Sequence, residues 1–61
     1  MENKKAEFLK KYAEIPDSLR SDIIAVVDEK TYTWNTAYLE IKDNTSLGQK
    51  ILKALENIGL L

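Results

Sequence analysis

Residues 22–33, DIIAVVDEKTYT, place two β-favouring runs on either side of a charged interruption. The first run, residues 23–27, is apolar at every position and rich in β-branched side chains, which is typical of a buried strand. Residues 28–30, DEK, interrupt it, and residues 31–33, TYT, resume the β-favouring composition. The pattern predicts a β-hairpin, although its turn lacks the Asn-Gly or Asp-Gly pair that is the strongest hairpin signal.

The segment before the hairpin predicts an amphipathic helix and then a short helical turn. Apolar side chains recur at helical spacing over residues 3–14, and Asn3 is a suitable N-cap. This helix should end at Ile15, because the residue before Pro16 is displaced from the α region. Residues 16–20 then suit one further turn of helix, since proline fits the first helical position.

Two interpretations fit residues 33–43. Apolar residues fall at i, i+3, i+4 and i+7 from Trp34, which is a full helical template. Alternate apolar residues from Ala37 onward, together with the β-favouring Thr, Trp and Tyr, also fit a strand. We adopt a helix at about 34–42, because Thr33 can serve as its N-cap.

Residues 46–58 carry the clearest helical pattern in the chain. Ser46 followed by Gln49 matches a capping box, and apolar residues then recur every three or four positions. Gly59 is placed to adopt the left-handed conformation that ends many helices, and Leu60 could pack back on the last turn.

These elements predict an α+β fold in a single domain, residues 1–61, with helices packed on one face of the hairpin. The order is an N-terminal helix, a short helical turn, a β-hairpin at about 22–33 and two C-terminal helices at about 34–42 and 46–58. The predicted core consists of the apolar residues Phe8, Leu9, Tyr12, Ile15, Leu19, Ile24, Val26, Trp34, Tyr38, Ile41, Leu47, Ile51, Leu52, Leu55 and Ile58.

The composition leaves few residues for catalysis or metal binding. A chain of 61 residues has room for a small core only, and this one contains no cysteine and no histidine. Disulfides, the usual zinc sites, thiol nucleophiles and histidine bases are therefore excluded. An enzyme using carboxylates would need two of them to converge in a pocket, and the closest pair, Asp28 and Glu29, falls in the predicted turn. We expect no enzymatic activity, no cofactor and no metal.

Charge and hydropathy predict a cytoplasmic protein. The chain begins with charged residues and no apolar targeting run. Its longest strictly apolar stretch, residues 23–27, is far short of the roughly 20 residues that cross a bilayer. We therefore expect no membrane association.

The aromatic residues give the first functional hypothesis. Tyr32, Trp34 and Tyr38 fall within seven positions, and such a cluster is either core or part of an interface, where Trp and Tyr dominate the binding energy. The open edges of a two-stranded hairpin also invite pairing with another chain. The sequence thus favours a non-catalytic interaction or assembly module that uses Tyr32 and Trp34. Its partner would be another protein or a second copy in a homodimer.

A DNA-binding regulator is the alternative. Two C-terminal helices joined by a short turn would make a helix-turn-helix-like pair, with Gln49, Lys50 and Lys53 on the outer face of the second helix. Gln and Lys near a helix N-terminus can contact base edges and phosphates. The formal net charge of −1 weighs against nucleic acid as a partner, because phosphate neutralisation supplies most of the affinity of such proteins.

Overall fold

The computed structural model describes residues 3–61 and has the predicted α+β architecture, with every element in the predicted order. Residues 34–42 are helical, so the helical interpretation of that segment is confirmed over the strand. The elements are α1 (Lys4–Glu14), a 3-10 turn (Asp17–Leu19), β1 (Ile23–Val27), β2 (Lys30–Thr33), α2 (Trp34–Lys42) and α3 (Ser46–Asn57).

The first two helices begin at the predicted caps. The Asn3 side chain accepts a hydrogen bond from the Ala6 N–H at 3.0 Å. Thr33 Oγ1 accepts from the Thr36 N–H at 3.2 Å, and Thr36 Oγ1 accepts from the Thr33 N–H at 2.8 Å. This reciprocal pair satisfies two backbone donors at the junction of β2 and α2, and it therefore favours a helix directly after the strand.

The cap of α3 lies one residue before the predicted one. Thr45 Oγ1 accepts the Gly48 N–H at 2.9 Å, and Ser46 is the first helical residue, so the predicted capping box of Ser46 and Gln49 is wrong. Thr45 is also held from the other side, since its hydroxyl donates to Glu40 Oε1 at 2.8 Å. The preceding helix therefore selects which of two neighbouring hydroxyl residues becomes the cap.

The connection between α2 and α3 is a left-handed helix end. Asn44 has φ 58° and donates its N–H to the Ile41 carbonyl at 3.1 Å, while the Thr45 N–H donates to the Glu40 carbonyl at 3.2 Å. These two bonds form a Schellman motif, which satisfies carbonyls that would otherwise be free at the end of α2. Lys5 Nζ donates to Asn44 Oδ1 at 2.8 Å, which ties α1 to this turn.

The end of α3 follows the same pattern and confirms the prediction for Gly59. Gly59 has φ 84° and donates to the Glu56 carbonyl at 3.1 Å, and the Leu60 N–H donates to the Leu55 carbonyl at 3.0 Å. Leu60 is half-buried and packs against the core. Ile58, predicted to be in the core, is instead 66% exposed, because the helix ends at Asn57 and the turn directs Leu60 inward.

The hairpin turn uses two residues in the left-handed region. Asp28 has φ 53° and Glu29 has φ 69°, and they connect the paired residues Val27 and Lys30. Two positive φ values in a two-residue turn define type I′, which matches the twist of the flanking strands. Neither residue is glycine or asparagine, which is why the sequence carries no clear turn signal.

A β-bulge decides which side chains of β1 face the core. The register is Ile23↔Thr33, Ala25↔Tyr32, Val26↔Thr31 and Val27↔Lys30. Ile24 is therefore an extra residue, and it places Ile23 and Val26 on the same face of the strand. Ala25 and Val27 are buried, and Ile24 is half-buried, whereas Val26 is 63% exposed. The prediction of Val26 as core is wrong, because a run that is apolar throughout does not indicate which face turns inward.

The core lies between the inner face of the hairpin and the three helices of the described chain. Leu19 was predicted to be part of the core, and this prediction is wrong. Its side chain is 43% exposed on the 3-10 turn, in which no residue is buried. The other predicted core residues are buried or pack half-buried against the core. The buried set is Phe8, Ala25, Val27, Trp34, Ala37, Ile41, Ile51, Leu52 and Leu55.

Two close contacts hold the helices together. The rings of Tyr12 on α1 and Tyr38 on α2 stack with their centroids 4.2 Å apart, and the Arg20 guanidinium lies 4.4 Å from the Tyr12 centroid. Gly48 on α3 lies against the backbone of α2, where a Cβ atom would be 2.5 Å from the Glu40 carbonyl oxygen. α2 therefore packs closely against both α1 and α3.

Candidate protein-interaction surface

An apolar groove runs between the free edge of β1 and the C-terminal half of α3. Its volume is about 430 Å³, and every side chain that lines it is apolar. Contiguous apolar surface of this kind marks binding sites more often than a single exposed hydrophobic residue does. The six lining residues, which we call the edge groove, are Ile23, Ile24, Ala25, Val26, Ala54 and Ile58.

The two walls of the edge groove run in opposite directions. Lys50 Nζ lies 3.2 Å from Asp28 Oδ2, which places the first half of α3 beside the hairpin turn. From Lys50 to Ile58 the helix rises about 12 Å, which is close to the roughly 13 Å between the ends of Ile23–Val27. Ile58 therefore lies beside the start of β1, and the groove extends along the strand.

Three large apolar side chains give the groove its exposed surface. Ile23 is 62% exposed, Val26 63% and Ile58 66%. The bulge at Ile24 places the first two on one face of the strand, and the early end of α3 leaves the third uncovered. Among residues 3–61 these are three of the five large hydrophobic residues that are exposed, so the apolar surface of the protein is concentrated here.

The backbone along the groove is also open to a partner. Within the described chain, β1 has one neighbouring strand, β2. In an antiparallel pair with a two-residue turn, Val27 and Lys30 exchange hydrogen bonds while Val26 and Thr31 do not. The N–H and C=O groups of Val26 therefore point toward the free edge.

The two edges of the sheet differ in chemistry. Natural edge strands are commonly protected by lysine, proline or charged side chains. β1 contains none of these between Ile23 and Val27, whereas β2 carries Lys30 and two threonines in its four residues. The β1 edge therefore lacks charged side chains and proline, and within the strand it is interrupted only by the bulge at Ile24.

The aromatic residues predicted to form an interface lie elsewhere. Trp34 is buried at 8% exposure, with its ring centroid 5.5 Å from that of Phe8. Tyr32 is half-buried opposite Ala25, on the inner face of the hairpin. Neither side chain lines the edge groove. Their role in contacting a partner stays a prediction. The exposed apolar surface lies instead in the edge groove.

The groove residues could have been found from the sequence by one further argument. A two-stranded sheet with helices on one face leaves its other face uncovered. An apolar run of five residues in such a sheet must then expose some of its side chains, and residues 23–27 are such a run. The contribution of Ile58 could not be found this way, because it depends on where α3 ends.

The residues proposed for DNA contact are all exposed on α3. Gln49, Lys50 and Lys53 occupy its first two turns, and a three-residue connection joins α3 to α2 as predicted. Lys50 forms an ion pair with Asp28, so the hairpin turn neutralises part of this surface. A DNA-binding role for these residues stays a prediction.

Residues 3–61 contain no cluster of three or more side chains suited to holding a metal ion. No helix among these residues combines the length and the apolar character needed to span a bilayer.

Comparisons with known proteins add no relative to these observations. No family model, curated protein or solved structure matches the chain.

Proposed function

We propose that this protein is a non-catalytic interaction module, which binds an extended polypeptide segment along the edge groove. The observation that carries the proposal is a free strand edge without charged side chains, lying next to a groove lined by apolar side chains. An added strand would hydrogen-bond to the backbone of Val26, and its side chains would pack on Ala54 and Ile58. The cytoplasmic location expected from the sequence is part of this proposal.

The energetics favour a strand over an irregular ligand. Burying the exposed parts of Ile23, Val26 and Ile58 contributes on the order of 1–2 kcal/mol each. Association itself costs about 4–15 kcal/mol in lost freedom, so these side chains alone do not produce stable binding. Backbone hydrogen bonds along β1 supply the additional contacts, and a partner in extended conformation is the one that can form them.

The test is a selection of binding peptides from a random displayed library. Wild-type protein is expected to select segments with alternating apolar residues, because one face of the added strand meets the groove. Val26→Lys and Ile58→Lys should abolish their binding, since each places a charge in the apolar surface. Leu39→Lys is the matched control, because Leu39 is an exposed leucine on α2 outside the groove.

The outcomes separate clearly. Peptides that lose binding to both groove variants but keep binding to the Leu39→Lys protein support the proposal. Failure to select any peptide, or binding that is unaffected in the groove variants, contradicts it. Circular dichroism of each variant shows whether the fold is retained.

A further inference from the structure

We infer that the edge groove selects segments that place one large apolar side chain, such as phenylalanine, over Ala25 and Ala54. Ala54 is the residue that sets this preference. The inference rests on the proposed function, because it names the kind of extended segment that the same groove accepts. It follows from the sizes of the side chains that line the groove.

The two small lining residues lie near the centre of the groove, one on each wall. Ala25 is the middle residue of β1, and Ala54 lies midway between Lys50 and Ile58 on the other wall. Measured from the ion pair beside the turn, Ala54 is about 6 Å along the helix and Ala25 about 10 Å along the strand. The other lining residues are all larger, namely Ile23, Ile24, Val26 and Ile58.

Burial separates the floor of the groove from its rim. Ala25 is 7% exposed and Ala54 is half-buried, whereas the large side chains of Ile23, Val26 and Ile58 are exposed. The groove is therefore deepest at the alanines, where both walls end in a methyl group. Its volume of about 430 Å³ falls in the roughly 300–1,000 Å³ range of ligand sites, so it has room for an aromatic side chain.

A large side chain at this point supplies apolar contact that the rim lacks. The exposed rim side chains do not by themselves offset the cost of association. One aromatic side chain can bury about 150–250 Å² of its own surface. Buried residues near the centre of an interface also contribute most of the binding energy. The alanine floor is thus the part of the groove where one residue of the partner adds most to affinity.

The chemistry of the lining favours an apolar residue in this position. No charged or polar side chain lines the groove. A lysine, glutamate or glutamine over the alanines would lose water without gaining a side-chain partner. Phenylalanine avoids this loss, and it also favours the extended conformation that an added strand requires.

Strand geometry allows only one such residue in a bound segment. Side chains on the same face of a strand are roughly 7 Å apart, so the neighbours of the central residue meet the rim instead of the floor. The selected segments should therefore share one large apolar residue, which we call the anchor, with smaller apolar residues two positions away on either side.

The first experiment compares selections from one random displayed peptide library on three proteins. Wild-type protein is expected to enrich peptides with a large apolar anchor at a fixed position. Ala54→Leu fills the floor of the groove, so this protein should enrich peptides with alanine, serine or valine at that position. Ala13→Leu makes the same change at an exposed alanine on α1, outside the groove, and should enrich the wild-type peptides.

Affinities of synthetic peptides then measure the contribution of the anchor. Replacing the anchor by alanine in the most enriched wild-type peptide should weaken its binding to wild-type protein at least about tenfold. For the Ala54→Leu protein, the two peptides should differ by less than about threefold, because the anchor no longer has its space. Fluorescence anisotropy of the labelled peptides gives both values. The first comparison uses wild-type protein, so it tests the inference even if Ala54→Leu fails to fold.

Three results would overturn the inference: enriched peptides that share no large apolar residue, an alanine-substituted peptide that binds as tightly as the original, or a folded Ala54→Leu protein that binds the original peptide as the wild type does. If the peptides in those cases still fail to bind the Val26→Lys and Ile58→Lys proteins, the interaction module stays supported and only the anchor is contradicted. A library that yields no peptide would contradict both.

Discussion

Gly48 is the residue at which the helix packing is least tolerant of change. Its hydrogen occupies the place where a Cβ atom would lie 2.5 Å from the Glu40 carbonyl oxygen and 2.8 Å from the Glu40 carbonyl carbon. Both are backbone atoms in the last turns of α2, and they cannot move aside as a flexible side chain could. A methyl group at this position therefore requires the two helices to separate.

Gly48→Ala tests this contact against helix propensity. Alanine is favoured over glycine within a helix by about 1 kcal/mol, but the steric conflict with α2 should outweigh it. We expect a net loss of about 1–3 kcal/mol in the free energy of unfolding, measured by urea denaturation. Gln49→Ala, an exposed neighbour in the same turn, should stay within about 0.5 kcal/mol of wild type. A Gly48→Ala protein that is more stable than wild type would contradict this close packing of α3 against α2.

At Glu29 we expect glycine to stabilise the protein, because this residue has a backbone conformation that suits glycine. Its φ of 69° costs a residue with a side chain about 1–2 kcal/mol, part of which glycine loses again through the greater entropy of its unfolded chain. Glu29→Gly should therefore stabilise the protein by about 0.5–1 kcal/mol, seen as a higher midpoint in urea. The same change at Glu56, within α3, should destabilise it. Equal effects at both positions would contradict the type I′ turn.

At the level of elements, Thr45 joins the end of α2 to the start of α3. Its N–H donates to the Glu40 carbonyl and its hydroxyl caps α3 through the Gly48 N–H. The hydroxyl also donates to the Glu40 side chain. One residue thus stabilises two helix ends, which explains how the two helices can be joined by so short a connection.

The cap assignment can be tested by a pair of substitutions. Thr45→Ala should cost about 1–2 kcal/mol of stability, because it leaves the Gly48 N–H without its acceptor. Ser46→Ala should be nearly neutral, since Ser46 is the first residue inside the helix. Thermal or urea unfolding of both proteins gives the comparison, and Thr45→Ser should recover most of the loss. An equal loss of stability in the Ser46→Ala protein would instead support Ser46 as the cap, as the sequence pattern predicts.

Local signals explain why most elements could be predicted. Asn3, Thr33 and Gly59 act within a few residues of their own position, so the helix ends they define were readable from the sequence. Which side chains of β1 face the core could not be predicted, because this depends on the bulge at Ile24 and on where α3 lies across the sheet. Exposure of part of residues 23–27 could be predicted, but the contribution of Ile58 to the edge groove could not, because it depends on where α3 ends. The predicted interface relied instead on the aromatic cluster, in which Trp34 is buried.

For the molecule as a whole, the charge distribution predicts that the protein does not bind nucleic acid. With a formal net charge of −1 and Lys50 engaged by Asp28, we expect no measurable binding to labelled DNA duplexes in fluorescence anisotropy at about 50 mM salt. Affinity that falls steeply with salt would instead support the helix-turn-helix alternative. In that case, Lys53→Ala should lower the salt slope by about 1.

The polar outer edge of β2 sets a limit on how many extended segments one molecule can bind. That edge carries Lys30 and threonine side chains, which discourage strand addition. Strand addition is therefore confined to the β1 edge, and each molecule is expected to take up one extended segment and to add no further strand on its other side.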